Sequence, residues 1–541
     1  MSLRRDWLPQ FRDPLALIAL PFAAAGFLVP VCVALFASDN LLVTVMKDDG
    51  FYFLVLARNL AHGLGITFDG ISPTNGFHPL WAFLLVPLHF VRSANVLVPA
   101  RLALLLSALL HLAGSAAVFA AARALTNRRG ALLAGLFFLA NPLGVYLATS
   151  GMESPLVSLL VALVALIYIR IRKGDADLSR ARVFVPFGGL TGLCLLARTD
   201  LVLLAAPMFA GALYIAFKDA RSRRRDRPLA AGRGLAAAAG IAALTVSPWI
   251  VWNLVRFGTI VQVSARAHHL HSLMRRSWSV SGGPAGSLRL GTKVLAQTTR
   301  LIADRMGVPV PVVVALALAV VAWLAFWLWS ALAPRESRAQ ITRRLSWMDA
   351  PLVYAIGFLA GCFFVLGHMR SWYVAGPLAV WAIAMGIVAW AGSRESALSR
   401  RAQSLSKSVY LAALIGLLPL WVLFGREAQV SNTQMHAWRE AAAWVSANTE
   451  PGDRVASFNT GAFAYLTPRT VINLDCVINN RGISWLERRD LIGYIRSEQI
   501  RYVIDHPNWA GMYIRGLASR DADALVPVDT LRSDLVVYAV R

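Results

Sequence analysis

The chain alternates between long apolar stretches and shorter polar segments that are mostly basic. An apolar stretch of about 17–25 residues is long enough to cross the roughly 30 Å of hydrocarbon in a bilayer as a helix. The stretches predict eleven membrane-spanning helices, at residues 15–37, 98–122, 130–148, 154–170, 183–197, 201–217, 235–254, 308–332, 350–367, 373–392 and 409–425. The sequence therefore predicts a multi-pass α-helical membrane protein.

Arginine and lysine residues gather in every second polar segment, and this alternation predicts the orientation of the helices. If the N-terminus is inside, six segments face the cytoplasm and hold about half of the 53 Lys and Arg residues. Cytoplasmic loops of membrane proteins are enriched in these residues. We therefore predict that the N-terminus lies inside and the C-terminus outside.

Three long segments then lie on the outer side, at residues 38–99, 256–307 and 426–541. The last one has the pattern of a soluble domain that begins with an amphipathic helix at 434–448. Short apolar strands follow at 454–458, 470–475 and 501–505, with helices at 461–466 and 484–498 between them. This β-α-β-α-β order predicts a small parallel α/β domain. We expect two domains, a transmembrane module at 1–425 and a soluble α/β domain at 426–541.

Composition supports a membrane protein and excludes several other classes. Apolar residues make up 57% of the chain, charged residues make up 15%, and the mean hydropathy is +0.57. Soluble domains contain about 45–50% apolar and about 25% charged residues, so a soluble cytosolic enzyme and a disordered chain are excluded. The net charge of +24 fits basic cytoplasmic loops better than nucleic-acid binding. The four cysteines have no spacing typical of zinc sites or of a disulfide framework.

Two adjacent carboxylates, Asp48 and Asp49, follow the first apolar stretch. Neighbouring like charges raise each other's pKa, so keeping both residues requires a compensating use. One use is a general base for a hydroxyl group, and another is a ligand for a divalent cation such as Mg, Mn or Ca. A third is an acidic helix cap at the water interface. The pair alone leaves these uses open.

The pair belongs to an ordered series of motifs that resembles the GT-C superfamily of integral-membrane glycosyltransferases. The motifs are KDDGFY at 47–52, ARNLA at 57–61, GLG at 63–65, SPTNGFHPLW at 72–81, SPW at 247–249, FG at 257–258, RSWY at 370–373 and VINLD at 471–475. The series is most similar to the bacterial branch that includes the arabinofuranosyltransferases of mycobacterial walls. Protein mannosyltransferases and the lipid A aminoarabinose transferase resemble it more distantly.

The resemblance implies an enzyme of the bacterial inner membrane whose active site faces the periplasm. Such an enzyme takes a sugar, a hexose or a pentose, from a polyprenyl-phosphate donor. It passes the sugar to a glycan, glycolipid or protein acceptor of the cell envelope. The resemblance assigns the role of general base to Asp48. Asp49 would support Asp48 or help to hold a divalent metal, and no cofactor is otherwise expected.

Basic residues predict where the donor phosphate binds. The segment 256–307 holds eight Arg and Lys residues and a single acid, Asp304, on the side where basic residues are otherwise rare. We predict that the phosphate contacts Arg370, Arg266, His269, Lys47 and Arg58. Binding to anionic lipid headgroups is the alternative for the segment as a whole. The triplet His268, His269 and His271 could also form a metal site.

A third group of residues is predicted to bind the acceptor or the transferred sugar, namely His78, Asn75, Trp372, Tyr373 and Glu153. The alternative for Trp372 and Tyr373 is the aromatic belt of a membrane interface. Glu153 could instead hold a metal. For Arg198 and Asp200, which lie near the end of a predicted span, we expect a structural salt bridge, because unpaired charges at that depth are costly.

Other functions remain open at the level of sequence. A protein O-glycosyltransferase would share the same fold and motifs, and a lipid or sugar transporter or flippase would share the membrane topology. A sensory or assembly protein with an inactive site is a further class. Transporters commonly place ionisable residues near the middle of the bilayer. Here such residues gather at the outer ends of the predicted spans, which favours chemistry at the interface.

Overall fold

The computed structural model describes residues 13–220, 226–279, 335–362, 371–393, 396, 398–417, 421, 437–507, 510 and 524–541. The predicted span at 308–332 and the predicted phosphate ligand Arg370 lie outside them.

Six helices in the described part of the chain are long and apolar enough to cross a membrane. They are Pro14–Phe36, Val98–Leu125, Ser154–Lys173, Thr199–Phe217, Leu229–Phe257 and Trp372–Ala391. A further pair, Arg128–Ala140 and Pro142–Thr149, is bent by 52° and makes a seventh span if the two helices cross together. The bend falls at Pro142, because proline cannot continue the hydrogen bonding of the preceding helix. The chain is therefore an integral membrane protein.

The remaining predicted spans are shorter in the structure or are only partly described. Residues 183–197 and 350–367 correspond to the apolar helices Ala181–Ala197 and Asp349–Ala360, which are shorter than the six long ones. Residues 409–425 overlap the helix Arg400–Ile415. The total of eleven spans thus remains a prediction.

Other elements connect or extend these spans. Further helices occur at Asp39–Val45, Asp48–Ala61, Pro79–Leu85, Val263–Ser279 and Arg335–Ser346, and short 3-10 turns occur at Val86–Phe90, Thr199–Leu201 and Ser371–Val374. Three α-helices, Val202–Ala220, Asp226–Phe257 and Ala375–Ala391, overlap the last three of the six long spans. The helix Asp48–Ala61 begins with two acids and carries Arg58 in its last turn. These charges complement the positive N-terminal and negative C-terminal ends of the helix dipole.

The C-terminal residues 437–541, called the tail below, form an α/β region around a five-stranded sheet. The strands are β1 (Arg454–Ser457), β2 (Thr470–Asn473), β3 (Ile500–Asp505), β4 (Leu525–Thr530) and β5 (Val536–Val540). Their order is β2-β1-β3-β5-β4. The helices are 437–448, Gly461–Leu466, Ile483–Arg488 and Leu491–Ser497.

The sheet differs from the prediction in being mixed. Strands β1, β2 and β3 pair in parallel as expected, but β5 pairs antiparallel with both β3 and β4. The single helix predicted at 484–498 is two helices, which separate at Arg489 in a left-handed conformation (φ 60°). Asp490 caps the second helix by accepting a hydrogen bond from Gly493 N.

The tail packs against the loop that contains Asp48. Tail residues such as Ala462, Phe463 and Tyr465 are buried in the same apolar core as Phe51 and Tyr52 of the helix Asp48–Ala61. A second apolar cluster joins the tail strands and helices to Val263 and Ala267 of the helix Val263–Ser279. The tail therefore packs against described residues of both segments predicted to be outer, 38–99 and 256–307.

Candidate active site

The carboxylate of Asp48 is held by backbone groups of the tail. Its Oδ2 accepts a hydrogen bond from Gly461 N at 3.0 Å, and its Oδ1 accepts one from Ala462 N at 2.8 Å. Both N–H groups belong to the first turn of the helix Gly461–Leu466. The first N–H groups of a helix have no partner within the helix and carry partial positive charge, so they suit a carboxylate. Asp48 therefore caps a helix, which was one of the uses considered for the acidic pair, but the capped helix belongs to the tail.

Gly461 is needed for this approach. A Cβ atom at this position would lie 2.0 Å from the backbone oxygen of Asp48, which is far inside van der Waals contact. Only glycine lets the start of the tail helix reach the Asp48 carboxylate without moving one of the two backbones.

The surroundings of Asp48 make it a stronger base than an ordinary aspartate. Burial raises the pKa of Asp48 to about 7, although the hydrogen bonds from Ala462 and Gly461 oppose this rise. The nearby carboxylates of Asp49 and Asp505 raise it further. A general base is most effective when its pKa lies near the working pH. The carboxylate of Asp48 meets this condition at neutral pH.

Two further acids lie at the carboxyl ends of the parallel strands. Asp475 follows β2, and burial raises its pKa to about 7, with Asp49 and Asp48 adding to the effect. Asp505 ends β3, and its Oδ2 accepts hydrogen bonds from Ser457 Oγ and Phe458 N, both at 2.8 Å. We assigned no role to either acid from the sequence. Ligand sites of parallel sheets lie beyond the carboxyl ends of the strands, and this rule was the signal that could have identified them.

A second charged cluster surrounds Arg198. Its Nη1 donates to Glu153 Oε1 at 2.9 Å, and its Nε and Nη2 donate to the two carboxylate oxygens of Asp200 at 3.0 and 2.8 Å. Arg198 is 6% exposed and Glu153 is 0% exposed. The expected salt bridge between Arg198 and Asp200 is confirmed. The sequence did not indicate that Glu153 shares the same guanidinium.

Two buried polar atoms in this cluster have no hydrogen-bond partner among the residues that the structure describes. They are Glu153 Oε2 and His78 Nδ1. His78 Nε2 lies 4.0 Å from Glu153 Oε1, and the Tyr373 ring lies 5.2 Å from the guanidinium carbon of Arg198. Burial lowers the pKa of His78, although Glu153 partly opposes this, so the imidazole is neutral at pH 7. His78, Glu153 and Tyr373 are thus brought together, with Trp372 beside Tyr373 at 6.2 Å between ring centres.

Asn75 does not join this group, and its predicted role in sugar binding stays a prediction. The residue is 0% exposed. Its Nδ2 donates to Asn253 Oδ1 at 2.8 Å, and its Oδ1 accepts from Val263 N at 3.0 Å and from Asn480 Nδ2 at 2.9 Å. Asn75 thus links the loop 38–99 to Val263 and to the tail through hydrogen bonds.

Replacing Asn75 by alanine is expected to lower the stability of the protein by about 2–3 kcal/mol, because buried partners are left without a hydrogen bond. Thermal unfolding of the purified protein measures this loss. Asn448→Ala is the matched control, because Asn448 is exposed and its side chain donates to Trp444 O of its own helix. Unchanged stability together with lost sugar binding would contradict this expectation and would support the predicted role of Asn75 in sugar binding.

The described residues predicted to bind the donor phosphate have different partners in the structure, and their binding role stays a prediction. Arg58 donates to Tyr465 O and Ala464 O at 2.9 and 3.1 Å, and Arg266 pairs with Glu487 at 2.6 Å. The Nζ atom of Lys47 lies 5.0 Å from the centre of the Tyr146 ring. His269 is an exposed residue of the helix Val263–Ser279. Arg58 and Arg266 thus hold the tail, which was not foreseen, while Arg370 lies outside the described residues.

The described residues do not fit a metal site. No group of three His, Cys, Asp or Glu side chains within them is arranged to hold a metal ion. The expectations of a metal at Asp49, at Glu153 or at the His268 triplet therefore stay predictions.

Comparisons with known proteins agree with the architecture. The family model of the dolichyl-phosphate-mannose-protein mannosyltransferases matches residues 93–252. A second family model, of a domain of unknown function (DUF8728), matches residues 426–536. A search of curated protein sequences gives no match.

Solved structures of two kinds of enzyme match nearly the whole chain. The archaeal oligosaccharyltransferase AglB from Archaeoglobus fulgidus, in complex with an inhibitory peptide and a dolichol-phosphate, is 15% identical. That match covers 97% of this chain and 74% of AglB, with a TM-score of 0.55. ArnT from Cupriavidus metallidurans, bound to undecaprenyl phosphate, is 14% identical. That match covers 96% of this chain and 97% of ArnT, with a TM-score of 0.56.

These matches show that the chain has the GT-C fold, and they confirm its resemblance to the GT-C superfamily. The arabinofuranosyltransferase branch is not among the matched structures described above. The closer likeness to that branch therefore stays a prediction.

Proposed function

We propose that this protein is a glycosyltransferase that moves a sugar from a polyprenyl-phosphate donor to a hydroxyl group of an acceptor. The observation that carries the proposal is the Asp48 carboxylate, which is fixed at the junction of loop and tail with a pKa of about 7. The GT-C fold and the lipid phosphates bound to AglB and ArnT support a donor of this class. The proposal includes eleven spans, a periplasmic active site in a bacterial inner membrane, and a domain boundary near residue 426.

The proposed reaction needs one base and no redox partner. Asp48 takes the proton of the acceptor hydroxyl while the hydroxyl oxygen bonds to the anomeric carbon of the donor sugar. The bond between that carbon and the phosphate oxygen breaks, and polyprenyl phosphate leaves with the bonding electrons. A carboxylate offers about four lone-pair positions, so the two hydrogen bonds from the tail leave room for the transferred proton. Such a base contributes typically ~10²–10⁴-fold to the rate.

Glu153 and His78 are suited to hydroxyl groups of a sugar. Buried polar atoms nearly always have a hydrogen-bond partner, yet Glu153 Oε2 and His78 Nδ1 lack one among the described residues. A sugar hydroxyl can donate to the carboxylate oxygen and exchange a hydrogen bond with the imidazole nitrogen. The ring of Tyr373, held over Arg198, offers an aromatic surface beside them. We assign these residues to the binding of the donor or acceptor sugar.

The nature of the acceptor divides the proposal into two forms. A cell-envelope glycan or glycolipid is the form that the sequence motifs favour. The match of residues 93–252 to the protein mannosyltransferase family model favours a protein acceptor instead. Both forms use the same donor chemistry and the same base.

A panel of polyprenyl-phosphate sugars tests the proposed function. We expect purified protein in lipid nanodiscs to release polyprenyl phosphate from at least one pentose or hexose donor when an acceptor is present. Nucleotide sugars serve as the control and should not be consumed, because the GT-C type of transfer uses the lipid donor. Glycan, glycolipid and peptide acceptors added separately distinguish the two forms. If no lipid-linked donor is consumed by folded protein with any acceptor class, the proposed function is wrong.

A further inference from the structure

The helix Gly461–Leu466 of the tail is gripped at both ends by the helix Asp48–Ala61. Asp48 accepts hydrogen bonds from its first two N–H groups, and Arg58 donates to the carbonyl oxygens of Ala464 and Tyr465 near its end. The carboxylate of Asp48 thus lies at the positive end of the short helix, and the guanidinium of Arg58 lies at its negative end. This arrangement holds the tail helix in one register along its partner.

Apolar and aromatic contacts fix the same helix sideways. The rings of Phe51 and Tyr465 lie 5.5 Å apart, and Tyr465 Oη donates to Val96 O at 2.8 Å. Ala462 and Phe463 are fully buried beside them. These contacts fix the position of the helix relative to the helix Asp48–Ala61. Its first N–H groups therefore favour one orientation of the Asp48 carboxylate.

The turn that precedes the helix is braced from within the tail. Asp505, at the end of β3, accepts hydrogen bonds from Ser457 Oγ and from the backbone N of Phe458 and Asn459. Asn473, at the end of β2, donates through Nδ2 to Thr460 Oγ1 at 2.9 Å. The carboxyl edge of the sheet therefore positions the residues that lead into Gly461.

We propose that Gly461 and Ala462 are positioning residues for the Asp48 carboxylate, so that the tail is a working part of the active site. The inference rests on the proposed function, in which Asp48 receives the proton of the acceptor. The two N–H groups hold the carboxylate in one orientation and leave one lone-pair position free on each oxygen. Asp48 also keeps partial access to solvent, so the contact orients the base without enclosing it.

The charges around Asp48 show why the two N–H groups matter. Asp49 and Asp505 repel its negative charge. Asp475 and Tyr52 lie close enough to interact with it, and Arg58 is engaged at the far end of the tail helix. Among the described residues, the main groups that lower the pKa of Asp48 are the N–H groups of Ala462 and Gly461. Removing one of them should therefore raise the pKa and leave less of the ionised base at neutral pH.

Ala462→Pro tests the contact, because proline has no N–H, and the N–H of a residue in the first turn makes no hydrogen bond within the helix. We expect the acidic limb of the profile of kcat/KM against pH to move to higher pH by about one pH unit. At pH values below 7 the activity of the variant should be lower than that of the wild type, and at high pH it should return toward the wild-type value. Gly461→Ala should shift the limb in the same direction, because its added Cβ pushes the tail helix away from Asp48. The second variant tests the inference if the first does not fold.

Ser484→Pro is the matched control, since Ser484 is also the second residue of a short tail helix, Ile483–Arg488. Its pH profile should equal that of the wild type. An infrared titration gives a readout that does not depend on activity. The carbonyl band of protonated Asp48, identified by its loss in Asp48→Asn, should persist to higher pH in Ala462→Pro.

The outcomes separate this inference from the proposed function. Inactive wild-type protein with a shifted infrared titration in Ala462→Pro would contradict the function and keep the contact. An unchanged titration and pH profile in folded Ala462→Pro and Gly461→Ala would overturn the inference. Higher activity in these variants at all pH values would also overturn it, because the tail would then be blocking the base.

Discussion

Asp48→Asn is expected to abolish sugar transfer while leaving the protein folded. The asparagine side chain has nearly the same size, and its amide oxygen can still accept a hydrogen bond from Gly461 N or Ala462 N. It cannot accept the proton of the acceptor hydroxyl. The value of kcat should fall by about 10²–10⁴-fold or more, since general-base catalysis typically contributes a factor in this range. Turnover of the polyprenyl-phosphate donor measures it, and thermal unfolding checks the fold.

Asp49→Asn is the comparison for this prediction, since Asp49 is the next residue of the same helix turn. We expect a smaller loss, because Asp49 is proposed to support Asp48 and not to accept the proton itself. Normal turnover in Asp48→Asn with an inactive Asp49→Asn would reverse the two roles. Normal turnover in both variants would remove general-base catalysis from this pair.

Arg198→Met is expected to destabilise the protein by about 3–5 kcal/mol, the usual result of removing one partner from a buried ion pair. The guanidinium binds Glu153 and Asp200 together, and Glu153 has no exposed surface. Its loss leaves two carboxylates without their partner. Thermal or denaturant unfolding measures the effect.

Two matched variants support the interpretation of this result. Arg266→Met removes an ion pair of similar length, but both partners are about 40% exposed, so the expected loss is below about 1 kcal/mol. Adding Glu153→Gln to Arg198→Met should recover part of the stability, because it removes one of the stranded charges. Equal losses for Arg198→Met and Arg266→Met would show that the buried cluster has no special role.

The sequence predicted the elements of the fold better than their contacts. Apolar stretches located the long helices, and the three parallel strands of the tail were found from short apolar runs. The hairpin of β4 and β5 was missed, because β4 is largely exposed and contains Pro527, which weakens the pattern of a buried strand. An exposed strand of this kind is identified by its pairing with a neighbouring strand, which the pattern of apolar residues does not show.

The candidate site was predicted only in part for a similar reason. Asp48 stands out in the sequence because of its neighbour and its place after a span. Its partners Gly461 and Ala462 lie more than 400 residues away, and a backbone N–H carries no signature of its own. Arg58 and Asn75 are polar residues in a motif-rich loop, which is equally typical of ligand binding and of structural hydrogen bonds. The contacts with Tyr465 and Asn480 are the structural bonds that the sequence could not indicate, and the predicted ligand roles stay predictions.

The most direct test of the account is the fate of a labelled sugar on a polyprenyl-phosphate donor. Wild-type protein and Asp48→Asn would be reconstituted in the same lipids, matched for folded protein, and given the donor with an acceptor. We predict that the wild type transfers the label to the acceptor hydroxyl and releases polyprenyl phosphate, while Asp48→Asn does neither above background. Transfer at equal rates by both proteins, or no transfer by the folded wild type with any donor, would contradict the account.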